Sequence, residues 1–378
     1  MRKIGGTVII FLFSVLIFAV PVKGAEEITE ELMEKMEFDE IQDMLNEMLG
    51  EGSFSFSGAL KKLVTGEEAF SKEAVQEFLH GLFFSGLSRE KTLFFRILLL
   101  ILLSSIFAGF GGVFDGGQVG EISFYVVYLL LFTMLMDSFS ALCVSLSENL
   151  SWLSRFMKVL SPAYFLAVAA SSGGTTAAVF YEGVLLLVWL IQWILLTVLL
   201  PGIHICTVVR FVNNLSREEM LGKLSELLET GINWGLKTLL GLVIGLQVVK
   251  NLVAPVMDSL KRSVVGKTAG AIPGVGNAVN AVTELIVTGA VLVRNSLGIV
   301  VLIALLLVGA GPVIHYVMLS LSYKFLAAVA QPVSDKRIVG CLSTMGESCG
   351  LLLRLLLTVD VLCMLTFIIL MVSFGGGP

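Results

Sequence analysis

The chain has 378 residues, of which 56% are hydrophobic and only 15% charged, with a mean hydropathy of +0.93. An ordinary soluble domain carries about 25% charge, so these values exclude a wholly aqueous fold and make lipid the solvent of most of the chain. The net charge of −5 is segregated: residues 25–90 hold sixteen Asp/Glu against five Lys/Arg, and with no basic-aromatic tract elsewhere a nucleic-acid surface is excluded.

Arg2 and Lys3 precede an apolar run from Val8 to Val20, and small residues follow at Gly24 and Ala25. That layout predicts a secretory signal peptide over 1–25, with an uncleaved anchor as the alternative. Residues 26–90 then form an acidic extracytoplasmic helical region. Ile28, Leu32, Met36, Ile41 and Leu45 give 28–49 one apolar face, and Phe70, Ala74, Phe78 and Leu82 do so for 67–87. Gly50 and Gly52 tolerate the left-handed backbone that ends a helix. The alternating Ser53–Ser57 run is too short to assert a strand. So small a region is marginal alone and is expected to pack against the membrane body or a partner.

From residue 91 onward the sequence predicts a polytopic transmembrane body. Apolar stretches cover 93–110, 122–144, 159–180, 184–200, 232–253, 285–307, 312–326 and 351–374, each close to what a hydrocarbon layer of about 30 Å requires. The expected fold is therefore all-α, with about eight transmembrane helices after the signal peptide. The pair 285–326 is expected to be a hairpin broken at Gly309-Ala310-Gly311-Pro312. Its flanks, Lys261 and Arg262 before it and Lys336 and Arg337 after it, then share the cytoplasmic side. Pro201-Gly202 is expected to close the fourth span, and residues 204–231 to lie as an interfacial helix. Ser171 to Thr176 combine small side chains with hydroxyls, the composition of a helix contact or a re-entrant break.

Polar residues inside these spans are the candidate sites. Arg294 is the lone formal charge of its run, where a charge costs roughly 2.5–3.5 kcal/mol, so it should face protein or water. Asp137, Glu284 or Asp360 could pair with it. Gln192 and Gln247 can cross-link helices, and Gly241 and Gly245 form a small-xxx-small assembly face. Gly270, Pro273, Gly274 and Gly276 favour a hinge or loop. Arg354 sits near the end of its span and can snorkel. FLAVAA at 165–170 and FLAAVA at 325–330 hint at a repeat, although alanine-rich apolar sequence matches readily by chance.

Chemistry is not evident. Gly266-Lys267-Thr268 lacks the glycine a phosphate loop needs, since position 261 is Lys. His80, His204 and His315 have no metal-ligand spacing, the five cysteines form no CxxC, and no serine has a nucleophile context. The residues predict no enzyme, cofactor or metal.

Longer patterns are more telling. SPAYFLAVAASSGGTTAAVFYEG at 161–183, LPGIHICTVVRFVNNLS at 200–216, GAIPGVGNAVNAVTELIVTGAVLVRNSLG at 270–298 and PVIHYVMLSLSYKFLAAVAQPVSDKRI at 312–338 resemble the stage III sporulation protein AE family of endospore-forming bacteria. The resemblance runs over essentially the whole chain. It implies a multi-pass component of the channel complex linking mother cell and forespore, in the mother-cell membrane surrounding the engulfed forespore. It also implies partners: a cytoplasmic ATPase and ring-forming subunits. No catalytic residue transfers with it. An autonomous secondary transporter with a broken-helix site is the alternative.

Overall fold

The computed structural model describes residues 38–65, 95–99, 117–172, 174–215, 220–265, 276–332 and 334–374, with a few isolated positions besides. Two short helices, α1 (Asp39–Leu49) and α2 (Phe56–Thr65), come first. Then follow α3 (Gly117–Ser172) and α4 (Gly174–Ile194). A π-helical turn, Leu195–Leu199, leads into α5 (Leu200–Leu215). The last three are α6 (Gly222–Val265), α7 (Gly276–Ala330) and α8 (Lys336–Phe374).

Side-chain pairs set the direction of each long helix. Along α3, Ser154 meets Gln192, Phe139 meets His204 and Phe132 meets Phe211, so α4 and α5 run back down α3 as one antiparallel rod. Ser138 and Tyr323 share a hydrogen bond at 3.3 Å, while the Tyr316 hydroxyl donates to the Leu142 carbonyl at 2.8 Å. These bonds make α7 antiparallel to α3. Ser320 donates to the Gly346 carbonyl at 2.7 Å, pairing α7 with α8, and Thr207 donates to Ser348 at 2.9 Å, pairing α5 with α8. The five long elements thus alternate in direction. In five of them a stretch is long and apolar enough to cross a membrane: Tyr125–Ser171, Leu185–Leu215, Gly222–Gly245, Val287–Ala330 and Lys336–Ile368. The protein is an all-α, multi-pass bundle.

This arrangement corrects the expected hairpin. Gly309 to Pro312 lie inside an unbroken 55-residue helix, and the reversal falls between the end of α7 at Ala330 and the start of α8 at Lys336 instead. Proline removes one backbone donor and glycine adds freedom, but neighbouring helices hold the axis through both. Residues 122–144 and 159–172 likewise share the 56-residue α3. The eight expected spans therefore fall to five among the described residues, and most of 93–110 lies outside them. Pro201 does not close a span either, because the wider π turn just before it carries the helix past a residue with no N–H. Nor do the basic flanks share one side. With α7 continuous over about 82 Å, the end of α6 and the start of α8 lie at opposite ends of the bundle. Residues 204–231 form no separate interfacial helix; most of them continue α5 and begin α6.

At the N-terminal side, Gln42 fastens the first two helices. Its Nε2 donates to the Phe54 carbonyl at 2.7 Å, and its Oε1 accepts from the Phe56 amide at 2.8 Å. Gly50 and Gly52 turn the chain with φ of 90° and 74°, as the sequence requires. Phe54, Phe56, Ile41, Leu45 and Leu60 are buried, and the pair packs on α3 and α7. The Ser53–Ser57 run is the approach to α2, not a strand. The signal segment 1–25 and the helix expected over 67–87 lie outside the described residues.

The centre of the bundle is the pair α7 and α8. More than half of each apolar window is buried there, against a third or less in α3, α4–α5 and α6. Gly346 brings the two together: a methyl at that position would lie 2.9 Å from Lys324 Cγ and 3.1 Å from the Ser320 carbonyl oxygen. Gly346→Val is expected to destabilise the detergent-solubilised protein by about 1–3 kcal/mol, the usual cost of overpacking. Thermal unfolding measures this directly; an unchanged midpoint would mean the contact is loose.

Candidate functional site

A seam of polar side chains runs between α5, α6 and α8. Helical spacing puts Thr207, Arg210 and Asn214 on one side of α5, and Thr344, Glu347 and Ser348 on the facing side of α8. Thr207 donates to Ser348, and Asn214 Nδ2 donates to Thr344 Oγ1 at 2.7 Å. Gly340 leaves room for this, since a methyl there would stand 3.2 Å from Asn214 Oδ1. Arg210 pairs with Glu229 of α6 and reaches Glu347 at 3.3 Å. Arg354 closes the circuit, bonding Glu229 at 3.3 Å and Asn233 at 3.2 Å. Two cations and two carboxylates thus tie three helices into a neutral network. Arg354 reaches sideways into this network, where the sequence alone had it reaching for headgroups.

Arg294 is fully buried, with 0% exposure. Its Nη1 donates to Ser171 of α3 at 3.2 Å, and its Nε and Nη2 donate to Asn295 Oδ1 at 3.4 and 3.3 Å. The Tyr164 hydroxyl lies within its electrostatic reach. Ser171 therefore gives the small, hydroxyl-bearing segment its helix contact. Two of the expected carboxylate partners are elsewhere. Asp137 is exposed beside Ser138, whose partner Tyr323 is about 43 Å of helix from Arg294. Asp360 abuts Gly309, about 22 Å of helix away. The Glu284 side chain lies outside the described residues.

Other predicted positions separate. Gln192 accepts a hydrogen bond from Ser154, beside an open apolar cleft bounded by α3, α4 and α8. Gly241 and Gly245 are exposed, and a methyl at either would meet nothing within 4 Å. They leave a bare strip on the outside of α6. Gly276 is the first residue of α7; Gly270, Pro273, Gly274 and the Gln247 side chain lie outside the described residues. The charge network was not foreseen as a unit. Its signal was present as polar residues at three- and four-residue spacing in two segments far apart in sequence.

The bundle interior is filled. Val293, Leu297, Val300 and Leu305 of α7 are buried, as are Leu352, Leu355 and Leu362 of α8, so the central pair is packed along its length. Exposed Glu148, Arg155 and Lys158 form a charged girdle near the middle of α3. Apolar side chains of α3 are exposed on both sides of that girdle: Leu166 on one, Tyr125 and Leu129 on the other. A hydrocarbon layer of about 30 Å covers less than half of α3, which is about 84 Å long. Apolar surface on one side of the girdle therefore lies beyond a single layer.

Among the described residues no group of His, Cys, Asp and Glu could hold a metal ion. The model of the stage III sporulation protein AE family matches residues 54–374. The stage III sporulation protein AE of Bacillus subtilis (strain 168) is similar, with 24% identity over 330 residues that cover 86% of this chain and 82% of that protein. No solved structure matches.

Glu229 is the hub of the network because it faces two arginines. Glu229→Ala should cost about 1–3 kcal/mol, since it leaves Arg354 with Asn233 alone and Arg210 with Glu347 alone. In a double-mutant cycle with Arg354→Ala, the two losses should add to less than their sum. Strict additivity would dissolve the network as an energetic unit.

Proposed function

Because the chain belongs to the stage III sporulation protein AE family, we propose that it is a non-enzymatic membrane component of the channel complex between mother cell and forespore. The reading places it in the mother-cell membrane around the engulfed forespore. Its partners there are the other stage III sporulation channel proteins, including a cytoplasmic ATPase and ring-forming subunits. The supporting observation is apolar surface on both sides of a charged girdle, on a bundle far longer than one lipid layer is thick. Surface of that kind is what neighbouring subunits would cover. A filled core favours a passage formed between this chain and its neighbours over one through the chain itself.

Within this proposal, residues 1–25 are a signal peptide, 93–110 add a crossing to the five, and the acidic 26–90 region stands outside the cytoplasm, where basic residues are disfavoured. Arg294 braces the packed interior through Ser171. The bare strip at Gly241 and Gly245 receives a partner helix, since small residues permit close backbone approach.

Isolation of the tagged chain from sporulating cells tests the reading. The ATPase and ring-forming subunits should co-purify, and the chain alone in vesicles should carry no solute flux. Autonomous transport by the purified chain would replace this reading with a secondary transporter. Gly241→Leu with Gly245→Leu should lower recovery of the complex several-fold while leaving the thermal midpoint of the isolated chain unchanged. Equal recovery would remove that strip from the assembly.

A further inference from the structure

Asp360 stands apart from every other carboxylate described above. It lies in the apolar part of α8 with only 7% of its surface exposed, and its Oδ1 has no hydrogen-bond partner among the described residues. The carboxyl is pressed against the backbone of α7: a methyl at Gly309 would sit 2.9 Å from Oδ2 and 3.1 Å from Cγ. Only glycine leaves that space. Three residues on, Pro312 has no N–H, so the α7 hydrogen-bond ladder lacks the donor that the Val308 carbonyl would otherwise receive. A buried group short of a partner therefore lies against Gly309, next in sequence to a carbonyl short of a donor.

The surrounding charges do not neutralise an ionised Asp360. On α8, Arg354 is engaged with Glu229 and Asn233, and the thiol of Cys363, one turn on, is in electrostatic contact with the carboxyl. On α3, Arg155 and Lys158 are exposed, as is Lys237 on α6. His315 of α7 lies six residues beyond Gly309, its ring against Tyr316. An isolated carboxylate in an apolar span is strongly disfavoured, whereas a protonated acid supplies one donor.

We propose that Asp360 is a proton-binding site and that, when neutral, it donates its hydrogen to the Val308 carbonyl left open by Pro312. Protonated, the acid latches α8 to the middle of α7. Once the proton leaves, a carboxylate faces a carbonyl oxygen, two acceptors with no hydrogen between them, and the latch opens. Its place in the fold suits a latch, because Gly309 and Asp360 join the two helices of the central α7–α8 pair. The inference does not depend on the channel role proposed above.

Infrared spectroscopy of the full chain in phosphatidylcholine–phosphatidylglycerol vesicles, labelled with carboxyl-13C aspartate, tests it. Exposed aspartates with an ordinary pKa of about 3.9 are fully ionised at pH 7. An isotope-shifted carboxylic acid band is expected at pH 7, weakening as the pH is raised. It should vanish in Asp360→Asn and persist in Asp115→Asn/Asp258→Asn, which assigns the band even if the first variant fails to fold. Pro312→Ala restores the backbone donor, so the acid band should move to the position of a more weakly bonded acid. Absence of an acid band at pH 7, or its survival in Asp360→Asn, overturns the proton site. A band unmoved by Pro312→Ala overturns Val308 as the acceptor.

Discussion

The close approach of α7 and α8 is the constraint on which the remaining structure rests. Two apolar helices in lipid gain little from excluding water, so their association depends on backbone proximity and internal hydrogen bonds. Gly346 provides the proximity and Ser320 the bond, at one end of the contact. Gly309 provides the room for Asp360 nearer the middle of α7. With the central pair fixed, α3 is held to α7 by the Tyr316 hydroxyl on the Leu142 carbonyl, and α5 to α8 by Thr207 on Ser348. Each of these polar contacts gives a buried group its partner, and each also sets the register of one helix on the next.

The polar residues of the interior divide into two kinds. The Arg210, Glu229, Glu347 and Arg354 network is balanced in charge and partly open to solvent, so it serves as a brace near the bundle's middle. Arg294 and Asp360 are different: each is buried in an apolar span, and they lie too far apart along α7 to neutralise one another. Arg294 finds neutral oxygen acceptors on α3 and on its own helix. Asp360 meets a bare stretch of backbone. Groups of this second kind are costly to retain in lipid, which makes them better candidates for function than the exposed girdle residues.

Much of the architecture was legible in the sequence, and the errors share a physical origin. Hydropathy located the apolar stretches, and the glycines at 50 and 52 located the first turn. The breaks fall elsewhere because the cost of glycine and proline in water does not carry over to a packed bundle. Inside a bundle, Pro312 costs one backbone bond and Gly309 gives a neighbour its place, so neither ends the helix. The π turn before Pro201 shows the same tolerance. Arg294 lies inside the bundle against Ser171, and no choice among Asp137, Glu284 and Asp360 as its partner follows without knowing which helices lie side by side.

By itself, the sequence determined that the chain is helical and lies largely in a membrane. Composition and periodicity are local properties, and the cost of leaving backbone amides unpaired in lipid permits few alternatives. The long patterns shared with relatives likewise pointed to the family. Only the tertiary structure decided how many of those apolar stretches belong to one continuous helix, which ends lie together, and that residues 210, 229, 347 and 354 form one network. The physical reason is that these depend on pairings between distant segments. Contacts of a few ångströms fix them, and such contacts leave almost no trace in the hydropathy of either segment alone.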